Sequence, residues 1–258
     1  KAILKIALDL PIDRLFDYSI PDNLRDQVVS GVRVRVQFGR SKNLLDGFVV
    51  EVVEASDFAG ELSTISELVS TAPVLDKDIY QLVRAVADRQ AATASDVLRL
   101  AIPDRSVAVE KKWLESATVV ESSAKTSGGA KLTALIAPIT DADGPVWAKE
   151  IRDNCIKALN VGNSVIVVVP DFRDQAALLD VLASSEVGTA VINFTTDTQK
   201  SKRYSVFLSC LSNSASIVVG SRSAIYAPVR NLGEIIVWDD GDSSHQEPTS
   251  PYSHTREV

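Results

Sequence analysis

SVIVVVP, residues 164–170, sets five apolar residues in a row between a serine and a proline. A run so short and so uniformly apolar fits a strand buried on both faces, because a half-exposed strand alternates and a buried helix needs more length. Three further runs share its character: TAVINF (189–194), ASIVVGS (215–221) and EIIVWDD (234–240), with KLTALIA (131–137) upstream of them all. Between the runs, residues 147–159, 172–182 and 199–211 carry the 3.6-residue period of helices. Apolar strands separated by helices predict a parallel sheet covered on both faces. Such sheets bind ligands at the carboxyl ends of their strands, so residues 138–145, 170–173, 220–223 and 238–242 fall on one edge.

Working back toward the start, the pattern changes. Residues 1–70 alternate with period two: Ile3, Lys5 and Ala7 against Leu4, Ile6 and Leu8, then VRVRVQF (32–38), then FVVEVV (48–53). Turn signals at Pro21-Asp22-Asn23, Ser30-Gly31, Phe38-Gly39 and Asp46-Gly47 divide them, which predicts a small antiparallel barrel or half-barrel. From Asp76 the period becomes helical, and a second short helix starts near Thr93 or Ser95 and stops before Pro103. Residues 105–131 mix charge, serine and a glycine pair with little periodicity, and read as linker. The expected organisation is a β-rich domain over 1–104, the linker, and an α/β domain over 132–258. At 258 residues both domains can bury a core of their own.

Composition narrows the function classes. Only Cys155 and Cys210 are present, both inside helical patterns, which suits buried thiols in a reducing cytoplasm. No run approaches the roughly 20 apolar residues of a membrane span, and no signal peptide leads the chain. The lack of methionine, with a start at Lys1, reads as a fragment. A net charge of −7 argues against a general nucleic-acid coat. Yet Arg25, Arg33, Arg35, Arg40 and Lys42 stand against Asp26 alone between positions 25 and 42. That run is either a track for phosphates or a solvated strand face.

Nucleotide chemistry is missing where the sheet edge invites it. A phosphate cradle needs glycines, a lysine and a Ser/Thr hydroxyl, and no G-x-x-x-x-G-K-[S/T] occurs in the chain. Asp239, Asp240, Asp242 and His245 follow the last strand as a solvated acidic loop or an oxygen-rich metal site.

Several medium-length motifs occur in an order that resembles the bacterial replication-restart helicase family PriA, also called primosomal protein N-prime. They are Leu15-Phe16-Asp17-Tyr18-Ser19-Ile20-Pro21, Gly31-Val32-Arg33-Val34-Arg35-Val36-Gln37-Phe38-Gly39-Arg40 and Ser95-Asp96-Val97-Leu98-Arg99-Leu100-Ala101-Ile102-Pro103 in the first domain. In the second they are Val168-Val169-Pro170-Asp171, Gly220-Ser221-Arg222-Ser223-Ala224, Asn231-Leu232-Gly233-Glu234-Ile235-Ile236-Val237 and Pro251-Tyr252-Ser253-His254-Thr255-Arg256. The resemblance implies an α/β protein: a small barrel-like β domain with two helices, then a RecA-like helicase lobe. It also implies a pocket for the 3′ end of a nascent strand at Phe16, Asp17, Tyr18 and Gly39, with Ser63 where the family has a lysine. Arg33, Arg35, Arg40 and Arg222 are the expected DNA-backbone contacts.

The ATPase motifs depart from the pattern. The family's Gly-Lys-Thr falls on Val146-Trp147-Ala148, and its Asp-Glu-Glu-His on Trp238-Asp239-Asp240-Gly241. Losing cation, hydroxyl and metal ligand together removes what phosphoryl transfer requires, as the resemblance implies for degenerate actinobacterial members. The stretch 105–131 is too short for the family's winged-helix domain, and the family's zinc cysteines fall beyond Val258, so no cofactor, neither ATP nor zinc, is expected here. Three readings follow. The first is a catalytically silent restart factor, cytoplasmic and nucleoid-associated, that binds forked or branched DNA together with primosome proteins, the replicative helicase or its loader, and single-stranded-DNA-binding protein. The second is an ATP-dependent 3′-5′ helicase with an unconventional phosphate site using Lys149 or Arg152. The third is a protein-only primosome adaptor.

Overall fold

The computed structural model describes residues 2–39, 43–56, 58–116, 132–134, 140, 144–195, 199–211 and 214–258. Two compact units emerge: residues 1–103 with 248–253, and residues 104–247 with 254–258.

The first unit is built on five antiparallel strands: β1 (Ile3–Leu8), β2 (Phe16–Ser19), β3 (Arg33–Phe38), β4 (Asn43–Val53) and β5 (Glu67–Ser70), in the order β2-β1-β4-β3-β5. The period-two reading holds, with Leu4, Ile6, Val34, Val36 and Val49 fully buried in one core. Ile3 and Ala7, on the opposite face of β1, are buried as well, because helix α2 (Ala94–Ala101) lies against that strand. The expected barrel is not a continuous ladder. Its two edges meet at one parallel bridge between Ser19 and Thr64, where Ser19 N donates to Ser63 O and Ile65 N to Ser19 O. Gly31, at φ +91°, makes the turn into β3; a Cβ there would stand 2.7 Å from the Leu75 carbonyl.

Both helices of this unit start where their caps dictate. Asp76 accepts from Ile79 N at the head of α1 (Lys77–Arg89), and Thr93 forms a reciprocal capping box with Asp96 at the head of α2. Proline at 103 closes the second.

The second unit carries four parallel strands, β6 (Ser164–Val168), β7 (Val191–Phe194), β8 (Ile217–Gly220) and β9 (Leu232–Val237), ordered β7-β8-β6-β9. All five residues of β6 are buried, as SVIVVVP predicts. One core packs Val165, Val167, Ile217 and Val219 against Trp147, Ile151 and Cys155 of α4 (Val146–Asn160) and Leu178 and Leu182 of α5 (Phe172–Ala183). Helix α6 (Lys200–Cys210) lies against β7, and the 3-10 turn Arg222–Tyr226 against β6 and β8. Burial pushes the thiols of Cys155 and Cys210 up to about 12. The strand expected at 131–137 lies mostly outside the described residues; positions 132–134 are not strand.

Part of the stretch read as linker is ordered. Residues Val107–Ser116 form helix α3, which packs on α6. Its Glu110 is buried, held by the Arg105 guanidinium at 2.7 Å and by the Tyr204 hydroxyl, which donates to the other carboxylate oxygen.

Candidate nucleic-acid interface

Strand β2 points the side chains of Phe16 and Tyr18 to one face of the sheet and that of Asp17 to the other. Tyr18 is buried in the sheet core and donates its hydroxyl to the Gln37 carbonyl at 3.0 Å. Burial raises that phenol above its ordinary value. Phe16 packs partly against the same core, edge-on to Phe38 with ring centroids 5.0 Å apart, and the Arg14 guanidinium lies 4.8 Å from its centroid. Gly39 follows Phe38, exposed and at φ +69°, with nothing within 4 Å of a Cβ built there. Phe16 and Gly39 are thus brought to one end of the sheet, whereas Ser63 sits at the other end of β2, its carbonyl accepting from Ser19 N at 2.9 Å.

Asp17 faces the opposite way. It pairs in register with Lys5 of β1, whose Nζ lies 3.5 Å from Oδ1, and the Ser56 hydroxyl donates to Oδ2. Sequence reasoning missed both partners. Lys5 had left a signal, as the one cation in the apolar run ILKIAL; Ser56, 39 residues away in the chain, left none.

The basic residues divide in the same way. Arg33 lies over the Phe48 ring at 4.5 Å. Arg35, opposite Asp46 on one neighbouring strand and Glu67 on the other, bonds both, at 2.7 and 3.1 Å. The hydrogen bond to Asp46 and that residue's charge raise the guanidinium above its ordinary value, with Glu67 adding to the effect. A phosphate would have to compete with both carboxylates for this guanidinium. Accordingly Arg35→Ala should leave the slope of log affinity for forked DNA against log salt almost unchanged, by anisotropy titration between 50 and 200 mM salt. A slope reduced by about one ion would restore Arg35 as a phosphate contact. Arg40 lies outside the described residues. Arg222 is bound by Glu247 at 3.0 Å and reaches the Ser244 carbonyl, so it too is engaged by the protein.

At the carboxyl edge of the second sheet, two tryptophans from distant parts of the chain meet. Trp147, in the first turn of α4, and Trp238, just past β9, stack with centroids 4.5 Å apart and planes 11° from parallel. Val146 opens that helix and Ala148 is fully buried beside the stack. Arg152 is engaged by Asp153 on the same helix at 2.7 Å.

The acidic loop does not converge. Asp239 adopts φ +48°, Asp240 pairs with Arg256 at 2.5 Å, and Asp242 caps Ser244 N, whose hydrogen bond lowers its carboxyl below the usual range. His245 is fully buried, its Nε2 donating to the Trp238 carbonyl at 2.8 Å, with the His254 ring 5.7 Å away. Among the described residues no three metal-ligating side chains cluster. None of their helices is long and apolar enough to cross a membrane.

Residues 5–103, which take in both helices and all of the five-stranded sheet except the first two residues of β1, match the family model of the PriA 3′ DNA-binding domain (3′BD). The chain is 37% identical over 262 residues to "Probable replication restart protein PriA" of Mycobacterium tuberculosis (strain CDC 1551 / Oshkosh), covering 96% of this chain and 40% of that one.

The chain belongs to the PriA family.

The PriA relative from Mycobacterium leprae is 36% identical over 265 residues, again covering 96% of this chain and 40% of its own length. With Bacillus subtilis PriA, 36% identity extends over 107 residues, 41% of this chain and 13% of the relative. The chain therefore spans about 40% of the length of the mycobacterial PriA proteins it matches.

Proposed function

We propose that this chain is the DNA-recognising part of a replication-restart protein: it reads the 3′ end of a nascent strand at a stalled or branched fork and does so without turning over ATP. Asp17 carries the reading. Within a domain of the 3′ DNA-binding type, it is a carboxylate kept partly accessible at a side-chain exposure of 12%, bracketed by an ammonium and a hydroxyl. A carboxylate has about four acceptor positions, so beside Lys5 and Ser56 it can still accept from a terminal 3′-hydroxyl. Lys5 offsets the approach of the strand's own phosphates.

The stacked Trp147 and Trp238 support the second half of the proposal. Where the family resemblance leads one to expect a phosphate-site lysine and a metal-binding carboxylate, this chain carries the two stacked indoles. We take the second unit as a degenerate RecA-like lobe that holds protein partners, namely primosome components, the replicative helicase or its loader, or single-stranded-DNA-binding protein. Its place of action is the cytoplasm, at the nucleoid.

The test compares forked DNAs ending the leading strand in a 3′-hydroxyl or a 3′-phosphate, by fluorescence anisotropy. The wild-type chain should prefer the hydroxyl roughly tenfold or more, the worth of one hydrogen bond to a charged group. Asp17→Ala should abolish the preference while blunt-duplex binding stays. Equal wild-type affinity for both ends would sink the end-reading proposal.

A further inference from the structure

We propose that Phe58, and not Phe16 or Tyr18, is the aromatic platform on which the terminal base of a 3′-ended strand stacks. This deepens the function proposed above and rests on it.

The geometry separates the candidates. A base can stack only on a ring whose face is open to it, on the same side as the group that holds the sugar. Tyr18 is 5% exposed, its hydroxyl committed to Gln37, and β2 turns it away from Asp17. Phe16 points to that same far side, with Phe38 against its edge and Arg14 over its ring.

Phe58 is 62% exposed. Its backbone N–H donates to Ser56 Oγ at 3.0 Å, and that hydroxyl in turn donates to Asp17, so one hydroxyl ties the aromatic's backbone to the carboxylate. The ring is also positioned. It lies against Gly60, where a Cβ would come within 2.6 Å of Phe58 Cε1 and 2.9 Å of Cζ, so the bare backbone of Gly60 leaves room for the ring. Lone exposed apolar residues carry no message. This one carries a message because the same short loop supplies Asp17's hydroxyl partner, and Lys5 brings a cation to the same carboxylate. Cation, carboxylate, hydroxyl and open aromatic are what a nucleotide's phosphate, 3′-hydroxyl and base would each require.

The test uses the full chain and a primed fork carrying 2-aminopurine as the last nucleotide at the 3′ end. Stacking quenches that base, so wild-type binding should dim it. Phe58→Ala should remove the quench and weaken binding of the 3′-hydroxyl fork by about tenfold, within the range known for base–aromatic stacking. Preference for hydroxyl over phosphate should survive in it, because Asp17 is untouched. Phe58→Tyr should restore the quench, and Gly60→Ala, which crowds the ring, should reduce it. Since Phe58 is exposed, its variants are expected to fold. Should Phe58→Ala keep both quench and affinity while Phe16→Leu loses them, the assignment of Phe58 is wrong and end reading stands. A wild type that neither quenches nor discriminates ends overturns both proposals together.

Discussion

Trp147→Ala will lower the stability of the second unit by about 3–5 kcal/mol, the range for truncating a buried aromatic in a core that cannot collapse around the void. The indole is 3% exposed, shares one core with Val165 and Val167 of β6 and stacks on Trp238, so little can move in to replace it. Trp238→Ala should be milder, because that ring is only partly buried. A double-mutant cycle should return a coupling of about 0.5–1.5 kcal/mol for the stack itself. Urea unfolding monitored by far-UV circular dichroism measures all three. In the same experiments, millimolar ATP with magnesium should leave the wild-type midpoint unmoved and release no phosphate. Magnesium-dependent stabilisation by ATP would contradict the view that the indoles fill a phosphate site.

Glu110→Ala should cost about 3 kcal/mol by the same measurement. Removing one partner of a buried ion pair strands the other, at a typical cost of 3–5 kcal/mol. The lower end applies because the Arg105 side chain keeps 23% of its exposure and can regain water, while Tyr204 loses its acceptor. Glu110→Gln retains an acceptor for Tyr204 and should lose less. A change below about 1 kcal/mol would show that α3 is a passive helix whose contact with α6 does not depend on this carboxylate.

What the sequence disclosed follows from how local each cause is. The strand β6 was legible because its burial is written in five consecutive residues, and α1 and α2 because a helical period after Asp76 and a proline at 103 are local signals. Helix α3 was not legible. Its only fully buried side chain is an acid, Glu110, whose hydroxyl partner Tyr204 lies 94 residues along the chain, so no local periodicity announces it. Pairing of Arg35 with Asp46 and Glu67 depends on the register of three strands, which turn signals alone do not set. The splitting of Phe16 and Tyr18 from Asp17 is different, since strict alternation on β2 already dictates it. What alternation does not disclose is which groups meet Asp17 on its own face, because Lys5 and Ser56 come from other parts of the chain.

The stacked tryptophans also bind together two positions 91 residues apart in the chain. Each indole is the other's packing partner, so a lysine at 147 would lay a charged stem against Trp238, and an aspartate at 238 would bring an anion beside the buried Trp147. Either change alone should lose stability. The pair works as a two-position lock: either ring can be exchanged without loss only when the other is exchanged with it.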